Sequence, residues 1–525
     1  MSGRSAIESV LIGLLTGLGV IVGLGWGNKL LATDAPSQPF ILSPHVQGIP
    51  GQTALIGERG LLIVPEVREK AGSPHIAVAF LRFPSTAEHP GPPIFWLPGG
   101  PGDSEVKRFV TGDADPRFLR ETLMMLSDMR SAGDVVILDQ RGAGLSQPYL
   151  VCPNALERTR EVHRHDPAQI FKEEKHRARQ CQTALTETGY DTAGYNIEAL
   201  ADDVNDLRAA LGYKRIILFG GSFGSQWSLA VMRRHGRHIE RALLRGIEDT
   251  PNTFDDPAAL LAALEAIAAD AEADPDLADQ RPVGGFIKAI TERIQELEAQ
   301  PVLVPVMDDK SGESVEVIFG AEELRATWWR DPDGWRLGER LGTGTWPGSL
   351  LKVLAGDYSD LAAMILADRQ RVPVSMSWPT AQYISVDCSL AGPPEIYAML
   401  TARPATAIIG NPNISLAGAC AGWDTAPPDP AFFTSIQSSI PVLMVHGSFD
   451  MATPLPNAQK ALEGLETGHL ITVHRSGHNP LTDLYREQPD VIRPIIRRFL
   501  QSGSFEDMPE KIALPPIDYL GPQTP

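Results

Sequence analysis

The chain has 525 residues, 43% of them hydrophobic and 21% charged, which suits two or three average domains or one large α/β domain with an insertion. Its formal net charge of −19 argues against nucleic acid or an anionic membrane surface as the main partner. That charge is compatible with cationic substrates, although solubility alone accounts for it.

Val10 to Gly27, "VLIGLLTGLGVIVGLGWG", runs eighteen residues without a charge. As a helix it would span about 27 Å, close to the hydrocarbon core of a bilayer. Its glycines fall at GxxxG spacing, which lets helices approach closely. A cleaved signal peptide is the rival reading, but cutting after Ala32 or Ala35 puts Leu30 at −3 or Pro36 beside the cut. Residues 1–30 are therefore expected to be an anchor or signal segment, with export under either reading. Residues 31–58 read as a polar, Pro-containing linker.

Short apolar runs follow, separated by helical patterns. "GLLIVPEV" and "HIAVAFLRF" read as an antiparallel pair, with Pro65 confining the first to a sheet edge. Buried parallel strands are expected at 92–100, 134–142, 215–221, 241–247, 440–447 and 469–477. Asn196 to Leu211 has helical apolar spacing and stops at Gly212. The fold class is α/β, a mostly parallel sheet covered by helices on both faces. A first core part (59–249) and a second (439–502) flank an insertion at 250–438. That insertion opens with two helices and a hairpin, "VLVPVMDDKSGESVEVIFG". It is expected to lie as a lid over the C-terminal sheet edge, where open α/β sheets bind ligands. Residues 503–525 read as an extended tail along the surface.

The four cysteines form two sequence-local pairs, Cys152 with Cys181 and Cys388 with Cys420, without CxxC spacing. In an exported protein they make two disulfides; four buried thiols are the alternative.

"GGSFG", Gly220 to Gly224, lies directly after a strand and before an amphipathic helix. Such a turn strains Ser222 and projects its Oγ above the sheet, and the helix aims N–H groups at developing negative charge. A serine nucleophile needs a base and the base an orienting carboxylate. Asp450 in "HGSFDMATP" and His478 in "RSGHNP" follow later strands in the order Ser, Asp, His. "LPGGPG" follows the strand at 92–97, where Gly100 N–H can pair with Phe223 N–H as an oxyanion hole. His446 and His474 read as packed histidines, and Asp139 as a loop brace acting with Arg141. There is no HExxH or other metal pattern, and the chemistry needs no cofactor.

Together, "PGGPG", "LDQRGAGLSQP", "DVNDLRAALGYKRIILFGGSFGS", "PVLMVHGSFDMATP" and "RSGH" resemble the α/β-hydrolase serine peptidases of the proline iminopeptidase type, and most closely the tripeptidyl aminopeptidase-like branch. "YISVDCSL" and "CAGWDTAPPDPAFF" in the insertion extend the resemblance. It implies an α/β-hydrolase fold and an aminopeptidase acting on free peptide N-termini. Ser222, Asp450 and His478 would be its triad, with Gly100 and Phe223 as oxyanion donors. It also implies acids that hold the substrate ammonium group, for which Glu248 and Asp249 stand in place. Pro98 departs from the HGGPG of proline iminopeptidases, and Asn479 replaces a more usual glycine. A carboxylic-ester hydrolase on the same machinery is the alternative enzyme, and a non-catalytic binding protein the alternative class. In the lid, the acidic run Glu265 to Asp279 reads as a solvated helix face and Trp328, Trp329, Trp335 and Trp346 as lid core.

Overall fold

The computed structural model describes residues 40–47, 54–112, 116–152, 166–248, 253–308, 311–329, 340–370 and 380–519. The apolar segment Val10–Gly27, Asp249 and Trp335 lie outside them. Among the described residues, no helix is long and apolar enough to cross a membrane.

Twelve strands are described: β1 (Phe40–Gln47), β2 (Leu55–Pro65), β3 (His75–Phe83), β4 (Ile94–Leu97), β5 (Val135–Leu138), β6 (Ile216–Ser222), β7 (Ile239–Ile247), β8 (Val302–Met307), β9 (Ser314–Phe319), β10 (Val442–Gly447), β11 (Gly468–His474) and β12 (Lys511–Ala513). Ten form one sheet in the order β1-β2-β3-β5-β4-β6-β7-β10-β11-β12. The pairs β1/β2, β2/β3 and β3/β5 are antiparallel and the others parallel.

Side-chain alternation sends each strand into two cores. Phe95 and Leu97 face helices Ile197–Ala210 and Phe223–His235 on one side. Ile94 and Trp96 face helices Glu105–Thr111, Pro116–Arg130, Pro480–Glu487 and Pro489–Ser502 on the other. Because both faces are covered, the central strands read as unbroken apolar runs, which is why they were legible. The chain between β7 and β10 builds a core of its own from helices Pro257–Ala273 and Phe286–Ala299, the β8/β9 hairpin and the helices after it. Trp328 and Trp346 are buried there, as expected.

Three expectations need correction. The segment read as linker contains β1, which pairs with β2 from Phe40↔Leu62 to Gln47↔Leu55. Hence β2 is not an edge strand; Pro65 is tolerated at its last position, beyond the reach of β1, where it opposes only His75. The tail does not simply run along the surface. Its β12 extends the sheet beside β11, and Ile517 and Tyr519 enter the lid core.

Both cysteine pairs are disulfides, Cys152–Cys181 and Cys388–Cys420, with Cα atoms 4.9 and 5.0 Å apart. They share a small cluster with Leu150, Tyr195, Ile384 and Trp423. This staples helix Pro167–Glu187 of the core to lid helices Ala381–Ser389 and Ile414–Gly422.

Candidate active site

Ser222 ends β6 and caps helix Phe223–His235 with φ 55° and ψ −134°. A positive φ is costly for a residue with a Cβ and recurs where strain serves function. The turn closes only because the residues around it are small. A Cβ on Gly224 would fall 2.2 Å from the Leu97 carbonyl oxygen at the end of β4. Ser225 Oγ then fastens the turn by donating to Ser222 O at 2.7 Å.

The acid and the imidazole come from loops after β10 and β11. His478 Nδ1–H donates to the Asp450 carboxylate, 2.9 Å from Oδ2 and 3.1 Å from Oδ1. Asp450 is fully buried. The N–H groups of Ala452 and Thr453 each donate to its Oδ1 at 2.9 Å, and Thr453 Oγ1 donates to Oδ2 at 2.8 Å. Burial opposes ionisation, but His478, His446 and these donors outweigh it and hold the carboxyl at about 2. It is an anion throughout the neutral range. An ionised acceptor at Nδ1 fixes the tautomer and leaves His478 Nε2 as the free base. The ring packs against Gly246, in β7 beside β6. This residue has φ +48°, and a Cβ on it would sit 3.1 Å from His478 Nδ1 and Cε1.

His446 is the packed histidine that the sequence suggested. Its Nδ1 accepts from Ile247 N–H at 3.0 Å, and its Nε2–H donates to Thr453 O at 2.7 Å. Burial lowers its pKa, so it stays neutral and ties β7 to the acid loop. Asp139 and Arg141 both brace loops, though not each other. Asp139 accepts from Ser104 Oγ at 2.6 Å and Leu145 N–H at 2.8 Å. Arg141 instead pairs with buried Asp203 and donates to the carbonyls of Glu66 and Gly194.

Gly100 N–H and Phe223 N–H make no hydrogen bond among the described residues, so both are available to a carbonyl oxygen. Gly102 N–H, by contrast, is engaged with Gln140 Oε1 at 3.0 Å. Glu248 directly follows β7, and its N–H donates to Ser225 Oγ at 2.9 Å, which fixes it against the nucleophile helix.

Two further acids were not picked out from sequence. Asp255 and Asp387 are each raised to about 7, by burial first and then by neighbouring carboxylates: Asp450 acts on Asp255, and Asp255 on Asp387. Tyr383 lies within the field of Asp387, Asp255 and Glu248. All three acids thus act on Tyr383, and Asp255 also feels Asp450. The doubled acid in "FDDP" was the available signal. Asp256 caps helix Pro257–Ala273 by accepting from Ala258 N–H, which leaves Asp255 for other work. Asp270, from the acidic run expected to be solvated, is largely buried and accepts from Arg475 and the Tyr519 hydroxyl.

A strand-turn-helix serine, a buried carboxylate–imidazole pair and two unengaged N–H donors at the C-terminal edge of this sheet define an α/β hydrolase. Residues 92–278 match the family described as the alpha/beta hydrolase fold, and residues 406–511 the family described as TAP-like protein. The chain has the α/β-hydrolase fold. It is similar to the serine protease Hip1 of Mycobacterium tuberculosis, 26% identical over 264 residues that cover 47% of this chain and 45% of that one. It is also similar to the proline iminopeptidase of Neisseria meningitidis, 27% identical over 157 residues covering 30% and 33%. The chain thus spans less than half the length of these relatives. Among solved structures, a serine hydrolase from Cycloclasticus zankles aligns with TM-score 0.36 and 13% identity over 86% of this chain and 100% of that one. A proline iminopeptidase from Mycobacterium smegmatis aligns with TM-score 0.32 and 14% identity over 81% and 94%.

Proposed function

We propose that the protein is an exported serine aminopeptidase that removes residues or short peptides from free N-termini. Ser222 Oγ attacks the scissile carbonyl as His478 Nε2 takes its proton, and Asp450 stabilises the imidazolium that forms. Gly100 and Phe223 N–H receive the oxyanion. His478 returns the proton to the leaving amine, and water then hydrolyses the acyl-enzyme by the same steps.

The convergence of Glu248, Asp255 and Asp387 carries the peptidase reading. Burial and neighbouring carboxylates disfavour the charges of Asp255 and Asp387. A substrate ammonium group relieves that repulsion, whereas a neutral ester does not. Export is supported by two disulfides. Tethering rests on the apolar segment Val10–Gly27.

The test compares an aminoacyl p-nitroanilide with its N-acetyl form and with a simple p-nitrophenyl ester. Asp387→Asn and Asp255→Asn should raise KM about 10-fold or more for the free-amine substrate alone, as expected for a lost charge-assisted contact. Both carboxyls are raised to about 7, so they gain charge as pH rises from 6 to 8. KM for the free amine should fall over that window, until the α-amino group loses its own proton near pH ~8. Equal turnover of the N-acetyl form would reject an aminopeptidase in favour of an esterase or endopeptidase.

A further inference from the structure

Gln140 lies just past β5, and Gln382 in the first turn of lid helix Ala381–Ser389, 242 residues further along the chain. Both side chains are fully buried. Gly102 N–H donates to Gln140 Oε1 at 3.0 Å, and Gln140 Nε2 donates to Gly99 O at 2.8 Å. The backbone dictates this orientation, because an N–H only donates and a carbonyl only accepts. Gln140 thereby brackets Gly100 from both sides.

Gln382 Nε2 donates to the same Gln140 Oε1 at 2.8 Å. Its orientation is therefore fixed as well, and its own Oε1 is left buried without a partner. A buried carbonyl with no donor is destabilising, so an apolar residue would serve stability better at this position. The helix start also packs directly on the turn. A Cβ on Gly102 would lie 3.3 Å from both Gln382 Oε1 and Thr380 Oγ1. The helix itself is held by the Cys388–Cys420 disulfide and by Ser385 Oγ donating to Thr192 O at 3.0 Å.

We propose that Gln382 is a positioning residue that acts through Gln140 to hold the Gly99–Gly102 turn with Gly100 N–H facing the carbonyl oxygen at Ser222. The lid thus sets a transition-state donor as well as covering the substrate. This inference rests on the serine-hydrolase reading, though not on the choice between amide and ester.

The experiment uses the full chain with Gln382→Leu, Gln382→Asn, Gln140→Leu and the double variant. The Asn side chain keeps the amide but falls one methylene short, so it reads the same contact if the Leu variant does not fold. An oxyanion donor acts on the transition state, so kcat for a p-nitrophenyl ester should fall about 10- to 100-fold with KM within about 2-fold. Affinity for a trifluoromethyl ketone, which adds to Ser222 as a tetrahedral adduct, should fall by the same factor. The double variant should be no worse than Gln140→Leu alone, because the two act in series. Unchanged kcat, a change in KM alone, or a drop in kcat without loss of ketone affinity would overturn the proposal. Wild-type protein that fails to react with a fluorophosphonate would instead overturn the serine-hydrolase reading itself.

Discussion

On the His478 side of Ser222, the acid, its two amide donors and Thr453 all come from one loop, and His478 lies only 28 residues beyond Asp450. On the Gly100 side, the turn is held by Gln140 and then by Gln382 across 242 residues, and the helix that carries Gln382 also carries Asp387. Under the proposed mechanism, proton transfer is assembled within the hydrolase core, while substrate recognition and oxyanion geometry depend on the insertion. The difference implies that changes on the core side should slow all substrates alike, whereas changes on the lid side should discriminate among them.

The largest effect should break the core side. Asp450→Asn leaves the loop in place but loses the anion that fixes the His478 tautomer, and kcat should drop about 10⁴-fold. Ester and amide substrates should suffer equally in parallel steady-state assays; unequal losses would blur the division. Next is the lid's own staple. Replacing both Cys388 and Cys420 by Ala releases a closed segment of 32 residues, and thermal or urea unfolding should show about 3 kcal/mol lost. Below the new melting point, activity on the free-amine substrate should fall more than Asp450-dependent reactivity toward a fluorophosphonate. Smallest is Thr453→Val, which removes one hydrogen bond to Asp450 without touching its two amide donors. About 1–2 kcal/mol, or roughly 5- to 30-fold in kcat, is expected for all substrates.

The placement of Ser222, Asp450 and His478 at strand ends was legible because each sits in a short motif after a parallel strand, and strand order converts sequence order into place. The cysteine pairs were legible for a simpler reason, sequence proximity. Gln382, Asp255 and Asp387 were not, since nothing local distinguishes a buried polar residue that meets the site from one on a solvated helix. The same blindness affected Asp270, read as part of a charge run although its partner Arg475 lies 205 residues away. β1 was missed because "FILSPHVQ", with Pro44 in its middle, has a weak apolar pattern and draws its pairing from β2.

The passage of Ile517 and Tyr519 into the lid core has a consequence for biosynthesis. Helix Pro257–Ala273 carries Asp270, whose partner Tyr519 is made 249 residues later. At about 5–20 residues per second, the ribosome needs roughly 12–50 s to deliver it. During that interval the lid lacks part of its interior, although β2 to β7 can already pair. A chain still emerging therefore carries the serine turn before it has Asp450 or His478, and it has both of those before the lid can close. Under the proposed mechanism, activity would wait until Tyr519 has emerged, well after the serine turn has formed.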